Sequence, residues 1–260
     1  MKLLVYMRIN RAPKLVKDGL KEAQGRLVLF VVGPTASGKT ALAVELAKKF
    51  NGEVISLDSR QFYKGMDIGT AKVTKEEMCG IPHHLLDICE PQRVLTLVDV
   101  MKLALEAIED CFGRNKLPIC VGGTGLYVDA LCRKYENFKK KTFDGEVGAD
   151  EVVKLREKLG DFATLEIGIE IDRKELYERI NKRTEKMFDE GLINEVKKIL
   201  KSGCMSDLPA LSGIGYKWPI KYLRDEISLA EAIELTKRDT RRYAKRQMTW
   251  FRHHGEVKWV

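Results

Sequence analysis

The sequence predicts an α/β protein of the P-loop NTPase type, with a parallel sheet flanked by helices and a mostly helical C-terminal part. From residue 27 onward, apolar runs typical of strands alternate with helical stretches, the pattern of a parallel sheet with helices on both faces. Between the first such run and the first helix lies GPTASGKT at 33–40, a complete phosphate-binding loop. Helical patterns at 173–190, 192–202 and 228–254 then dominate the second half of the chain.

Composition favours a protein with a full hydrophobic core and an anionic partner. The chain has 260 residues, 44% hydrophobic and 32% charged, with a formal net charge of +8. That size suits one large domain, and the positive charge favours a polyanion such as nucleic acid. No apolar run approaches the roughly 20 residues that cross a bilayer, and the six cysteines lack zinc-site spacing. We therefore expect a cytoplasmic protein with reduced thiols and no membrane association.

Residues 1–26 precede the first convincing strand, and residues 27–260 form the expected core. The first segment is either a helical extension or an overlong start, with Met7 as a second initiation candidate.

In the phosphate loop, glycines let backbone N–H groups turn towards an anion at a helix N-terminus. Lys39 is expected to reach the outer phosphate, and the Thr40 hydroxyl to hold Mg²⁺. The loop alone leaves open whether the anion is ATP or another diphosphate.

Two further strands are expected to end at the same edge of the sheet as the phosphate loop. Residues 52–57 form a strand that runs into Asp58, and residues 117–121 form another that leads into the Gly-rich segment 122–125. Ligands of open α/β folds bind at this carboxyl edge. A carboxylate that faces a phosphate loop is a Mg²⁺ ligand or a general base, although Asp58 also suits a turn cap.

The remaining elements are less regular. Thr96 and Asp99 form a capping box that opens a helix through Phe112. Residues 132–160 are polar and interrupt the alternation of strands and helices, with a short helix expected around 152–159. Residues 163–171 then alternate between apolar and polar side chains, as in a strand.

Two sets of basic residues indicate phosphate recognition. Arg179 and Arg183 lie four residues apart on one helix face. Two interpretations are open: the arginines bind a leaving pyrophosphate, or they form exposed ion pairs with nearby glutamates. On the last helix, basic side chains at i, i+3, i+4, i+7 and i+8 share a face: Arg238, Arg241, Arg242, Lys245 and Arg246. A charged face is often only solvated, but this one is almost entirely basic and rich in arginine, which pairs bidentately with phosphate. We expect it to contact a nucleic-acid backbone.

Together these motifs resemble those of the tRNA dimethylallyltransferases, which isopentenylate an adenine beside the anticodon. The matching segments are GPTASGKT at 33–40, DSRQFYKGMDIGTAK at 58–72, PHHLLD at 82–87, GGTGLY at 122–127, RINKR at 179–183, GIGYK at 213–217 and TRRYAKRQMTWFR at 240–252. The resemblance covers most of residues 27–131 and 163–254. A kinase that shared only the phosphate loop would not reproduce the other segments.

The resemblance implies an enzyme that uses dimethylallyl diphosphate, Mg²⁺ and tRNA, and we expect a monomer. Asp58 would be the general base at the adenine N6 amine, Thr35 and Arg183 would contact the diphosphate, and Thr124 would line the channel between the substrates. The diphosphate would lie on the loop residues Gly33, Pro34, Thr35, Ala36, Ser37, Gly38, Lys39 and Thr40. The implied tRNA contacts are Asp58, Ser59, Arg60, Gln61, Gly215, Tyr216, Lys217, Arg241, Arg242, Lys245, Arg246 and Arg252.

The chain departs from the family pattern in its RNA-binding half. Residues 132–160 stand where the family has a longer helical insertion, a segment that helps to hold the target base is missing before residue 163, and Ser212 replaces a common arginine. We therefore predict a reduced insertion at 132–160 and a helical RNA-contacting region at 205–254. Weaker or broader acceptor recognition, or dependence on a partner, would follow.

Three other functions remain open from the sequence. An adenylate isopentenyltransferase that acts on free AMP, ADP or ATP fits the shortened insertion but leaves the basic last helix unexplained. A small-molecule or nucleotide kinase would use Asp58 as a base towards a hydroxyl and would bind ATP. An RNA-binding protein on a degenerate fold would not need the intact Lys39, Thr40 and Asp58.

Overall fold

The computed structural model describes residues 2–132, 162–254 and 256–260, together with residues 150, 154 and 157. Its sheet contains six parallel strands in the order β3-β2-β4-β1-β5-β6. They are β1 (Leu27–Val32), β2 (Gly52–Ser56), β3 (His83–His84), β4 (Leu117–Gly122), β5 (Ala163–Gly168) and β6 (Lys258–Trp259). The predicted parallel sheet is confirmed, although the strands predicted at 52–57 and 163–171 end earlier than expected.

The helices are α1 (Lys2–Glu22), α2 (Lys39–Phe50), α3 (Lys75–Met78), α4 (Leu97–Gly113), α5 (Gly125–Cys132), α6 (Arg173–Asp189), α7 (Leu192–Lys201), α8 (Ile214–Leu223) and α9 (Leu229–His254), with a 3₁₀ turn at Pro209–Ser212. The predictions for α4, α6, α7 and α9 are confirmed, and Thr96 and Asp99 form the expected reciprocal capping box. The short helix predicted at 152–159 lies mostly outside the described residues. No helix in the described ranges is long and apolar enough to span a bilayer.

Alternating side chains of the strands build one core on each face of the sheet. On one face, Leu29 and Val31 of β1 pack with Leu46 of α2 and with Ala12 and Val16 of α1. The opposite face carries three β1 residues and the apolar sides of α4, α5, α8 and α9: Val28, Phe30, Val32, Met101, Val128, Tyr216 and Phe251. Residues 1–26 therefore contain a helix packed on the sheet.

Candidate active site

A cavity of about 490 Å³ lies at the carboxyl ends of β1, β2 and β4. Residues from several distant segments line it, including Thr35, Lys39, Thr40, Asp58, Gln61 and Arg183. The parallel strands end at one edge, so side chains that follow different strands meet there. Thr124 directly follows Gly123, which lines the cavity.

The phosphate loop is shaped to receive an anion. Gly38 adopts φ = 97° at the N-cap of α2, a left-handed conformation that glycine adopts without strain. The Ser37 hydroxyl is buried and has no partner among the described residues, so it is available to a ligand in the loop. The Lys39 ammonium donates to Pro34 O of its own loop at 2.7 Å. Burial lowers the pKa of Lys39 to about 8, against the opposing effect of the Asp58 carboxylate.

Thr35 is fixed from two sides. Its main-chain N–H donates to Gln247 Oε1 at 2.8 Å, and its Oγ1 accepts a hydrogen bond from Arg183 Nη2 at 2.6 Å. Because the hydroxyl oxygen accepts from Arg183, the hydroxyl proton is left to donate to a ligand. Arg183 is desolvated in the site, which lowers its pKa, while the Asp58 carboxylate raises it.

Gln247 links the phosphate loop to the Gly-rich loop after β4. Its amide is 5% exposed, and Nε2 donates to Gly123 O at 3.0 Å while Oε1 accepts from Thr35. A Cβ at Gly123 would overlap with this amide, so the close approach requires glycine. Sequence reasoning missed this residue. Its signal was its place in the matching segment at 240–252, which does not single it out from its neighbours.

Asp58 caps a turn and also lines the cavity. Its Oδ1 accepts from Arg60 N at 3.0 Å, which is a turn cap of the Asx type. The side chain also lines the cavity, close enough to Lys39 and Arg183 that its charge opposes the lowering of their pKa values by burial. A carboxylate thus faces a cationic phosphate loop across the same cavity.

The alternatives for the two α6 arginines are also resolved. Arg183 reaches Thr35 in the phosphate loop. Arg179 forms an ion pair with Glu175 at 2.6 Å, yet it lines the cavity and its Nη1 donates to Ser37 O at 3.5 Å. Arg183 therefore contacts the phosphate loop, whereas Arg179 contacts both the phosphate loop and Glu175 of its own helix.

The residues expected to contact tRNA fall into an inner and an outer set. Tyr216 is 1% exposed, and Gly215 is buried where a Cβ would overlap with Gly69. Arg60 donates to Pro209 O and, at 3.0 Å, to Ser212 Oγ, while Gln61 lines the cavity. Exposed side chains form the outer set: Lys217, Arg242, Lys245, Arg246 and Arg252. Ser59 is partly exposed, as is Arg241, which donates to Asn181 Oδ1 at 2.6 Å.

Glu195 of α7 holds the segment that precedes Thr70 in the cavity wall. Its Oε2 accepts from the N–H groups of Asp67 and Ile68 at 2.9 and 2.7 Å, and its Oε1 accepts from Gly69 N at 3.0 Å. The Tyr216 hydroxyl donates to the same Oε1 at 2.8 Å. A buried tyrosine thus supports the cavity wall through a carboxylate, a link that no local pattern predicts.

A second unpredicted cluster lies at the other end of β2. Glu53 is 3% exposed and forms two hydrogen bonds with the Arg114 guanidinium, at 2.5 and 2.7 Å, and one with His84 Nε2 at 2.7 Å. These bonds lower the pKa of Glu53 to about 2. Cys111 is nearby, but burial raises the pKa of its thiol to about 12. The carboxylate is already bound by Arg114, and the thiol stays protonated. The cluster is therefore better suited to a structural role than to metal binding.

Comparison with known proteins extends the match well beyond the phosphate loop. The family model for IPP transferase matches residues 61–159 and 146–254, and the one for isopentenyl transferase matches residues 26–92. A tRNA dimethylallyltransferase of Thermoanaerobacter sp. (strain X514) is 41% identical over 285 residues, covering 89% of this chain and 90% of the relative. Another, from Acetivibrio thermocellus, is 41% identical over 284 residues, covering 90% and 91%. Both aligned stretches are longer than this chain of 260 residues, so these relatives contain residues that it lacks.

Solved structures share the fold. The full-length tRNA isopentenylpyrophosphate transferase from Bacillus halodurans has a TM-score of 0.76 and 40% identity, covering 90% of this chain and 89% of that one. A eukaryotic dimethylallyltransferase acting on tRNA has a TM-score of 0.71 and 25% identity, covering 90% and 74%. The similarity therefore includes both the sheet and the C-terminal helices.

Proposed function

Because the chain belongs to the family of IPP transferases that includes the tRNA dimethylallyltransferases, we propose that it transfers a dimethylallyl group from dimethylallyl diphosphate to an adenine of tRNA. The acceptor atom is N6 of an adenine next to the anticodon. The observation that carries this proposal is the position of the Asp58 carboxylate, which faces Lys39 and Arg183 across one cavity.

That arrangement supports a substitution at carbon C1 of the dimethylallyl group. The adenine N6 attacks C1, the bond between C1 and the diphosphate oxygen breaks, and the N6 proton moves to the Asp58 carboxylate. An exocyclic adenine amine is a weak nucleophile, and general bases typically contribute about 10²- to 10⁴-fold. Negative charge grows on the leaving diphosphate, where Lys39, Arg183 and the free hydroxyl proton of Thr35 stabilise it.

Mg²⁺ fits the oxygen-rich phosphate loop. The Thr40 hydroxyl lines the cavity, the Ser37 hydroxyl is buried without a partner, and Mg²⁺ prefers such oxygen ligands together with substrate phosphates. Thr40 would hold the ion beside the diphosphate. The bound ion neutralises charge on the leaving group.

The acceptor would bind across the basic face of α9. The exposed arginines and lysines there suit a phosphate backbone, and the adenine must leave its stack to enter the cavity. Two predictions remain from the sequence: a reduced insertion at 132–160 and an RNA-contacting region at 205–254. The first range lies mostly outside the described residues. The length of the aligned relatives supports the first prediction.

With tRNA as the acceptor, the cytoplasm is the proposed compartment. One chain contributes every proposed catalytic group, such as Thr35 and Arg183, together with the residue Gln247 that holds the loop, so we also propose that a monomer is active.

The test is transfer of label from radioactive dimethylallyl diphosphate, with Mg²⁺, to unmodified tRNA, AMP and ATP in parallel. Label in tRNA supports the proposal and shows that the short insertion suffices. Label only in the mononucleotides replaces it with an adenylate isopentenyltransferase. ATP hydrolysis without transfer to any acceptor favours a kinase.

A further inference from the structure

We propose that Trp218 and the cations around it form an RNA-binding surface outside the cavity, where a nucleotide of the acceptor stacks on the indole ring. This Trp218 surface consists of Lys217, Trp218 and Lys221 of α8 and Arg238 of α9. The identity of the RNA as tRNA rests on the proposed function, whereas the chemistry of the surface stands on its own geometry.

Three cations lie within cation–π range of one half-buried indole ring. Lys217 Nζ is 4.5 Å from the ring centroid, Arg238 Cζ 5.8 Å and Lys221 Nζ 5.9 Å. The indole Nε1–H donates to Asp239 Oδ2 at 3.0 Å, which fixes the orientation of the ring. The surface therefore has a fixed aromatic centre and a basic rim.

The charges around the ring do not balance. Asp239 is shared between Trp218, Arg238 at 3.0 Å and the neighbouring Arg242 at 3.7 Å. Glu226 pairs with Lys221 at 3.0 Å and with Arg224 at 3.8 Å. With Lys217 and Arg242 included, five cations face these two carboxylates, and the Lys221, Arg238 and Arg242 side chains are 41%, 41% and 64% exposed. This net positive charge suits an anionic partner.

Aromatic rings framed by cations are the means by which proteins hold single-stranded nucleic acids, because every base has a face that stacks. Helices α8 and α9 also contribute other, buried residues to the core, such as Tyr216 and Phe251. The surface also continues the basic face of α9, since Arg238 and Arg242 are one helical turn apart. An RNA strand that contacts α9 can thus extend over Trp218.

The experiment measures binding of unmodified tRNA to the full chain across a range of salt concentrations. Trp218→Ala should weaken binding about 5- to 150-fold, the range for loss of one stacked base, while Trp218→Phe retains most of the affinity. Lys217→Ala and Lys221→Ala should each reduce the salt slope by up to about 0.7–0.9. The matched control is Lys49→Ala, at an exposed lysine on α2, which should leave the tRNA affinity and the salt slope unchanged.

Tryptophan fluorescence gives a readout that a purely structural role would not change. Added tRNA should quench emission of the wild type, and Trp218→Phe should remove part of that quenching while Trp250 and Trp259 remain. Wild-type affinity in Trp218→Ala, or equal quenching in Trp218→Phe, overturns the proposal. If Trp218→Ala does not fold, the proposal is tested by the quenching in Trp218→Phe and by the salt slopes of Lys217→Ala and Lys221→Ala. If the wild type binds tRNA but transfers no label to it, only the proposed function is contradicted. If an acidic protein quenches the tryptophan emission and tRNA does not, the Trp218 surface binds a protein and the RNA-binding proposal is wrong.

Discussion

The Thr35 main-chain N–H donates to the Gln247 side chain at 2.8 Å, so the last long helix holds the phosphate loop in place. Phosphate loops usually direct their N–H groups towards the anion, but here one is bound by an amide from a residue 212 positions away. The same amide donates to Gly123. Gln247 is therefore a positioning residue for two loops at once.

Replacing Gln247 should impair donor binding and turnover more than tRNA binding. Gln247→Leu leaves the Thr35 N–H and the Gly123 carbonyl buried without partners, at a cost of about 1–3 kcal/mol each. We expect a higher KM for dimethylallyl diphosphate and a lower kcat, measured by label transfer. Thr249→Ala, at an exposed site on the same helix, is the control. An unchanged KM and kcat in Gln247→Leu would show that the loop keeps its shape without this contact.

Donor affinity should decrease as the pH rises through about 8, the pKa of Lys39. Only the protonated lysine attracts the diphosphate, so kcat/KM for the donor is highest below this pKa and declines above it. A pH profile from about 7 to 9.5 measures the effect. Lys39→Arg provides the control, because arginine does not titrate in this range and its profile should be flat. A flat wild-type profile would exclude Lys39 as the titrating group.

Asp58→Asn should reduce transfer by about 10²- to 10⁴-fold, since an amide cannot accept the adenine proton. The variant keeps an oxygen for the hydrogen bond from Arg60 N, so the turn and the tRNA affinity should change little. Single-turnover transfer and tRNA binding are measured together. Turnover within tenfold of the wild type would remove Asp58 as the base.

Glu53→Gln should reduce the free energy of unfolding near pH 7 by up to about 3 kcal/mol. The pKa of Glu53 is lowered from 4.5 to about 2 in the folded state, so its stabilising contribution is present above about pH 4.5 and is lost as the pH decreases towards 2. Urea unfolding at several pH values measures the difference, which should shrink in acid. Asp110→Asn, which alters the exposed partner of Arg114, should cost much less. Equal losses for both variants would contradict this account.

Local sequence patterns predicted most of the fold because its signals are short-range. The phosphate loop, the Thr96–Asp99 capping box and the long amphipathic helices each depend on residues within a few positions of one another. Helix α8 was not predicted, because Gly213, Gly215 and Pro219 are typical of a connecting segment. Strands β3 and β6 contain two residues each, too few for a periodic pattern.

The candidate site was predicted only where a motif has a known chemistry. Lys39, Thr40 and Asp58 were singled out in this way, and Arg183 through its spacing from Arg179 and its match to the family. Gln247 and Glu195 were missed because each acts on loops more than 100 residues away, and no local spacing encodes such contacts. Tyr216 was expected at the RNA, but long-range packing buries it against Gly69.

The link from Gln247 to the phosphate loop also bears on the order in which the protein is synthesised. Ribosomes make the phosphate loop early, yet the residue that holds it follows 212 positions later in the chain. A growing chain therefore carries an incomplete donor site until Gln247 has been translated. Chains released early would lack this contact and would neither bind the donor well nor modify the RNA that surrounds them during translation.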